Sequence, residues 1–112
     1  MKPLPLSKPY TAGSETFSTI EFREPAYQDY RQIGPVYDVQ RGIVLRDREA
    51  IFGYVDRLVT KPAVGALAVM NVDDTMALED HVLDFFVQAR KSRAARESSS
   101  SGSNGPPNTW IG

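Results

Sequence analysis

Asn71-Val-Asp-Asp-Thr75 is a strong helix-start signal, and the residues behind it are ordered as a helix dipole favours. Acids come first (Asp73, Asp74, Glu79, Asp80) and bases last (Arg90, Lys91, Arg93, Arg96). This predicts a helix from about residue 74 to the mid-90s, and its apolar pattern is unusually wide. At about 100° per residue, Leu78, Val82, Phe85, Phe86 and Ala89 fill the arc expected of a surface helix packed on its own core. Met76, Leu83 and Val87 form a second stripe, with only Glu79 and Arg90 between the two.

That second stripe has two readings. Either the preceding elements bury both stripes, or Met76, Leu83 and Val87 remain free as a contact surface for another chain, since contiguous exposed apolar patches mark interaction sites. The basic end reads as dipole compensation and solubility ahead of a nucleic-acid contact.

Upstream, Pro3, Pro5 and Pro9 remove backbone donors, so Leu4 and Leu6 suit an edge strand. Turn chemistry follows over Tyr10–Glu15. Phe17–Arg23 then alternates, with Ile20 and Phe22 on one face and Thr19, Glu21 and Arg23 on the other. The two pieces read as a β-hairpin closed by a loop containing Gly13. A lone hairpin is marginal in water, so this one must lie against helices.

Pro25 suits the first turn of a helix over Ala26–Ile33, stopped by Gly34-Pro35, with Ala26, Tyr27, Tyr30 and Ile33 as its apolar side. Residues 36–45 read as a connection with room for a short extended piece. Asp47 can cap a second helix to about Val59 whose apolar positions are Ile51, Val55, Leu58 and Val59, flanked by Phe52 and Tyr54. Pro62 opens a short third helix through Met70, which Gly65 weakens.

The expectation is one α+β domain over residues 1–96, an N-terminal β-hairpin packed on a small bundle of three to four helices. Residues 97–112 read as a flexible Ser/Gly/Pro-rich tail. The tail carries the only Trp, and the Trp110-Ile111 pair is either a docking anchor or a frayed terminus.

Composition narrows the chemistry. With 41% hydrophobic and 24% charged residues, the chain is globular in type. A net charge of −1 removes the simplest case for nucleic-acid binding. Without Cys there are no disulfides or thiolate chemistry, and a single His argues against a His-based zinc site. No apolar run approaches the roughly 20 residues that cross a bilayer. The opening residues lack the apolar core of a secretory signal, so a cytoplasmic protein is expected.

His81, among acids on a polar face, reads as a solvated surface residue. Asp73/Asp74 and Glu79/Asp80 sit where helix starts favour acids anyway, and no nucleophile elbow, P-loop or dinucleotide fingerprint is present. Neither an enzyme nor a cofactor is expected.

In order and spacing, the pieces resemble the phage tail assembly chaperone family of Mu-like and related contractile-tailed phages. The resemblance is carried by Leu6-Ser-Lys-Pro9 and by Thr19-Ile-Glu-Phe-Arg-Glu-Pro25, with Arg23, Glu24 and Pro25 as the family-type motif. It continues through Ile51-Phe-Gly-Tyr-Val-Asp-Arg-Leu58, Pro62-Ala-Val64, Asn71-Val-Asp-Asp74 and Leu78-Glu-Asp-His-Val-Leu-Asp-Phe-Phe86, covering most of residues 4–90. Residues 36–45 and the Ser-rich tail depart from the pattern.

The resemblance implies a non-enzymatic helper in the host cytoplasm. It would bind the tape measure protein before the tail tube polymerises and be absent from the mature virion. It also allows self-association and a longer form made by ribosomal frameshifting. Partner-binding candidates are Met76, Leu83, Val87, Trp110 and Ile111. Two other classes compete: a tail or head-completion protein retained in the virion, and a nucleic-acid-binding regulator using Arg90, Lys91, Arg93 and Arg96.

Overall fold

A computed structural model describes the backbone of residues 1–103 and the side chains of residues 1–97. The fold is α+β. Two strands, β1 (Leu4–Ala12) and β2 (Glu15–Phe22), open the chain as an antiparallel hairpin. Helix α1 (Tyr27–Ile33) leads to a second hairpin, β3 (Tyr37–Gln40) and β4 (Ile43–Arg46). Then come α2 (Arg48–Leu58), a short strand β5 (Val59–Lys61), a 3₁₀ helix (Val64–Val69) and the long α3 (Val72–Ser103).

The first hairpin forms as its alternation predicts, and β1 lies at the edge of a three-stranded sheet ordered β1-β2-β5. Leu4 pairs with Ile20 and Tyr10 with Phe17, with a register shift between Pro5 and Tyr10. That irregular stretch holds Pro9, which has no N–H for a ladder. Strand β5 is an addition to the sequence reading. There the chain leaves α2 extended and pairs Lys61 with Glu21 and Val59 with Phe22. Opposite charges and apolar groups thus meet across the two strands.

Each helix has a local start signal. Asp47 caps α2 by accepting from the Ala50 N–H at 3.1 Å. Asn71, directly ahead of Val72, accepts from the Asp74 N–H at 2.8 Å. Because Asn71 takes the capping role, α3 starts ahead of the expected residue 74. It also continues past Arg96 to Ser103, so the first residues of the Ser-rich stretch have helical backbone. The remainder of the expected tail, residues 104–112, lies outside the described residues.

Helix α1 ends at Gly34, whose φ of 89° is closed to most side chains and whose N–H returns to Tyr30 O at 2.8 Å. Its expected apolar side is corrected: Ala26, Tyr27 and Tyr30 face solvent, while Asp29 and Ile33 face inward. A charged pairing wins over aromatic burial here, as described below.

The core joins Ile20 of β2, Val36, and Ala50, Ile51, Tyr54, Val55 and Leu58 of α2 to Leu78, Val82 and Leu83 of α3. Tyr54, which the sequence reading placed beside the apolar face, is fully buried at its centre. Its hydroxyl donates to Gly34 O at 2.7 Å, and burial pushes its pKa up to about 12.

Candidate partner-binding surface

The two apolar stripes of α3 are not separate. Glu79, Leu83, Phe86 and Arg90 succeed one another at helical spacing, so they share one side of α3. Arg46 at the end of β4 donates to Glu79 Oε1 at 3.0 Å, and Arg48 of α2 to Glu79 Oε2 at 3.3 Å. Farther along, the Phe86 ring lies 4.7 Å from that of Tyr54, and the Arg90 guanidinium 5.9 Å from that of Tyr37. Glu79, read as an interruption, is instead buried and paired, so the stripes merge there, while Arg90 stays exposed with its guanidinium over Tyr37.

Leu83 is therefore core, only 8% exposed. Its candidacy as a free contact residue is corrected: α2 packs against α3 and Leu83 joins the core there, while the second hairpin reaches the same side only through Arg46 and Tyr37. Val87 is half-buried against the same core.

Met76 behaves differently and is 55% exposed. The cause lies on the opposite side of the first turns of α3. Asp74 is buried there, accepting from the Ser7 N–H at 3.0 Å, the Ser7 hydroxyl at 2.8 Å and the Tyr10 hydroxyl at 2.5 Å. Residues two positions away lie about 160° round a helix. Fixing Asp74 to β1 thus turns Val72 and Met76 outward together, one turn apart. Val69, at the end of the 3₁₀ helix, is exposed nearby in sequence. Among the described residues, the large apolar side chains of α3 left exposed are consequently Val72 and Met76 at its start, not the full stripe. Periodicity gave the stripe, but only the long-range Asp74–Tyr10 contact reveals which part stays open.

The Arg23-Glu24-Pro25 motif proves structural in its contacts. Arg23 makes a bidentate pair with Asp29, both N···O distances being 2.8 Å, while its backbone N–H bonds Leu58 O at 2.9 Å. Asp29 is buried and also accepts from the Ala26 N–H at 2.8 Å, with Arg57 Nε at 3.5 Å. The Arg23 guanidinium and the Ala26 N–H hold the Asp29 carboxyl far below the usual carboxylate range. Glu24 pairs with the Met1 amino group, and Pro25 is half-buried. Trp110 and Ile111 lie outside the described residues.

His81 is also corrected from a solvated residue to a structural one. Its ring stacks on Phe22 at 5.2 Å and its Nε2 lies 2.7 Å from Lys2 O. A carbonyl only accepts, so Nε2 donates. An open groove of about 670 Å³ runs past Met1, Lys2, Glu24, His81 and Phe85. Among the described residues, no group of three His, Cys, Asp or Glu side chains could hold a metal ion. No helix among them is long and apolar enough to cross a membrane. At the basic end of α3, Arg90, Lys91, Arg93 and Arg96 are all exposed, Arg90 resting over the Tyr37 ring.

The largest feature missed by sequence reasoning is the β3–β4 hairpin, in the stretch expected to be mainly a connection. Val39, Ile43, Val44 and Leu45 are 57%, 61%, 54% and 47% exposed. A signal was present: Arg41-Gly42 separates two strand-forming runs. Both residues take positive φ, 53° and 78°, as the favoured two-residue hairpin turn requires. Arg at the first position, where Asn or Asp is usual, weakens that signal.

Compared with protein-family models, curated proteins and solved structures, the chain matches none.

Proposed function

We propose that this protein is a phage tail assembly chaperone, a non-enzymatic helper that binds the tape measure protein in the host cytoplasm before the tail tube polymerises. The sequence resemblance supplies the family. The observation that supports the mode of binding is the outward-turned apolar pair Val72 and Met76 at the start of α3, with Val69 exposed just ahead of them. A tape measure protein is a long, mainly helical chain whose apolar stripes would self-associate. A small apolar patch on each of many chaperone copies suits such a client, because modest contacts sum through multivalency and still release. The patch also has no part in closing the core, so it can be given up to a client without unfolding the domain.

Co-expression with the tape measure protein encoded downstream tests this reading. The tape measure should be soluble with this protein and aggregate without it; equal solubility in both would refute the proposal. Mass spectrometry of purified particles separates the chaperone from a tail or head-completion protein, since only the latter remains in the virion.

A further inference from the structure

The two edges of the β3–β4 hairpin are not alike. The turn at Arg41-Gly42 makes Gln40 and Ile43 the closing pair, and the Asp47 N–H bonds Val36 O at 2.7 Å farther down the ladder. In this antiparallel pattern the backbone groups of Val39 and Val44 point away from each other, toward the free edges. On β3 the outward Val39 N–H is already taken by Asp38 Oδ1 at 2.9 Å, and Gln40 Nε2 holds Asp38 Oδ2 at 3.0 Å. That edge is blunted by its own side chains. On β4 the outward edge has no neighbouring strand among the described residues, and Ile43, Val44 and Leu45 are all exposed. An edge of three exposed apolar residues that ends in Arg46 and has no strand paired to it among the described residues is a template for one more strand.

We infer that β4 pairs with β4 of a second copy of this chain, antiparallel about a two-fold axis at Val44, giving a four-stranded sheet β3-β4-β4-β3. The argument for a second copy is self-complementarity. A two-fold contact must match itself residue for residue. With Val44 opposite the partner's Val44, the outward N–H and C=O of each Val44 meet those of the other, and Arg46 falls opposite the partner's Gly42. Ile43 and Leu45 then lie opposite the partner's Leu45 and Ile43 on one face, and the valines gather on the other.

Charges agree in the same register. Arg41 falls opposite the partner's Asp47, and Arg46 meets a glycine instead of another arginine. Sliding the pairing by two residues either way loses the Arg41–Asp47 match. This interface is independent of the chaperone reading and leaves Val72 and Met76 free.

Sedimentation equilibrium of the full chain and of Val44→Pro tests the pairing, with the Val44 amide followed by hydrogen exchange. Proline at 44 removes only the outward-facing donor, so the hairpin's own ladder is kept. The wild type should be a dimer at about 100 μM, with the Val44 amide protected there and exposed on dilution. Val44→Pro should be monomeric with an unchanged far-UV CD spectrum. If Val44→Pro disturbs the fold, Ile43→Lys, at an exposed side chain, decides by the same two readouts. A wild type monomeric at about 100 μM overturns the inference, as does a folded variant that still dimerises. It is equally overturned if the Val44 amide becomes protected only when another protein binds a monomeric chain.

Discussion

Asp74 of α3 and Tyr10 of β1 are joined by a buried hydrogen bond of 2.5 Å across 64 residues of sequence. That contact orients the long helix and thereby decides which of its apolar residues reach solvent. The Tyr10 and Ser7 hydroxyls and the Ser7 N–H all favour the ionised carboxylate, so the Asp74 pKa is lowered.

Acid should weaken this fastening and the one at Asp29. Both carboxyls titrate below the ordinary value near 3.8 in the folded chain. A lowered pKa means stability that is fully present above the unfolded value and lost as pH falls through the folded one. The wild type should therefore lose stability as pH drops below about 4, measured by urea midpoints at successive pH values. Asp74→Asn should be less stable than wild type at neutral pH. Its stability should fall less steeply in acid, because one of the two carboxyls with a lowered pKa is gone.

Leu83 and Met76 should part company on substitution. Leu83→Ala removes a core side chain and should cost about 2–5 kcal/mol in chemical denaturation. Met76→Asp, at a surface position, should change stability by no more than about 0.5 kcal/mol. The shared stripe predicts the same behaviour for both. The packed domain predicts opposite behaviour.

Tyr54→Phe keeps the ring and removes the donor to Gly34 O, so about 1 kcal/mol should be lost. A spectroscopic titration of the wild type should show Tyr10 and Tyr54 ionising above the ordinary value of 10, Tyr54 near 12, and Tyr54→Phe should remove the step near 12 while leaving that of Tyr10.

Arg23→Lys should destabilise more than the same exchange at the exposed Arg96. Lysine keeps the charge but cannot make the forked pair that Arg23 forms with both oxygens of Asp29. Thermal unfolding of the two variants side by side gives the comparison.

Local rules made most of the elements legible. Alternation gave the first hairpin, Asp47 and Asn71 marked helix starts, and Gly34-Pro35 marked a stop. What sequence could not give was which side each amphipathic element turns inward. Asp29 is buried in place of Tyr30 because Arg23 and Arg57 approach it from other elements, and Leu83 is buried because α2 packs on its side of α3. These outcomes depend on contacts between distant residues, which no window of periodicity contains. Of the candidate surface, Met76 is exposed, Leu83 is core and Val87 is intermediate.

The most direct test of the chaperone account is size-exclusion chromatography of this protein mixed with the tape measure protein, wild type against a Val72→Asp/Met76→Asp variant. The account predicts a stable complex for the wild type and none for the variant, both chains giving the same far-UV CD spectrum. Equal binding by the folded variant would contradict it.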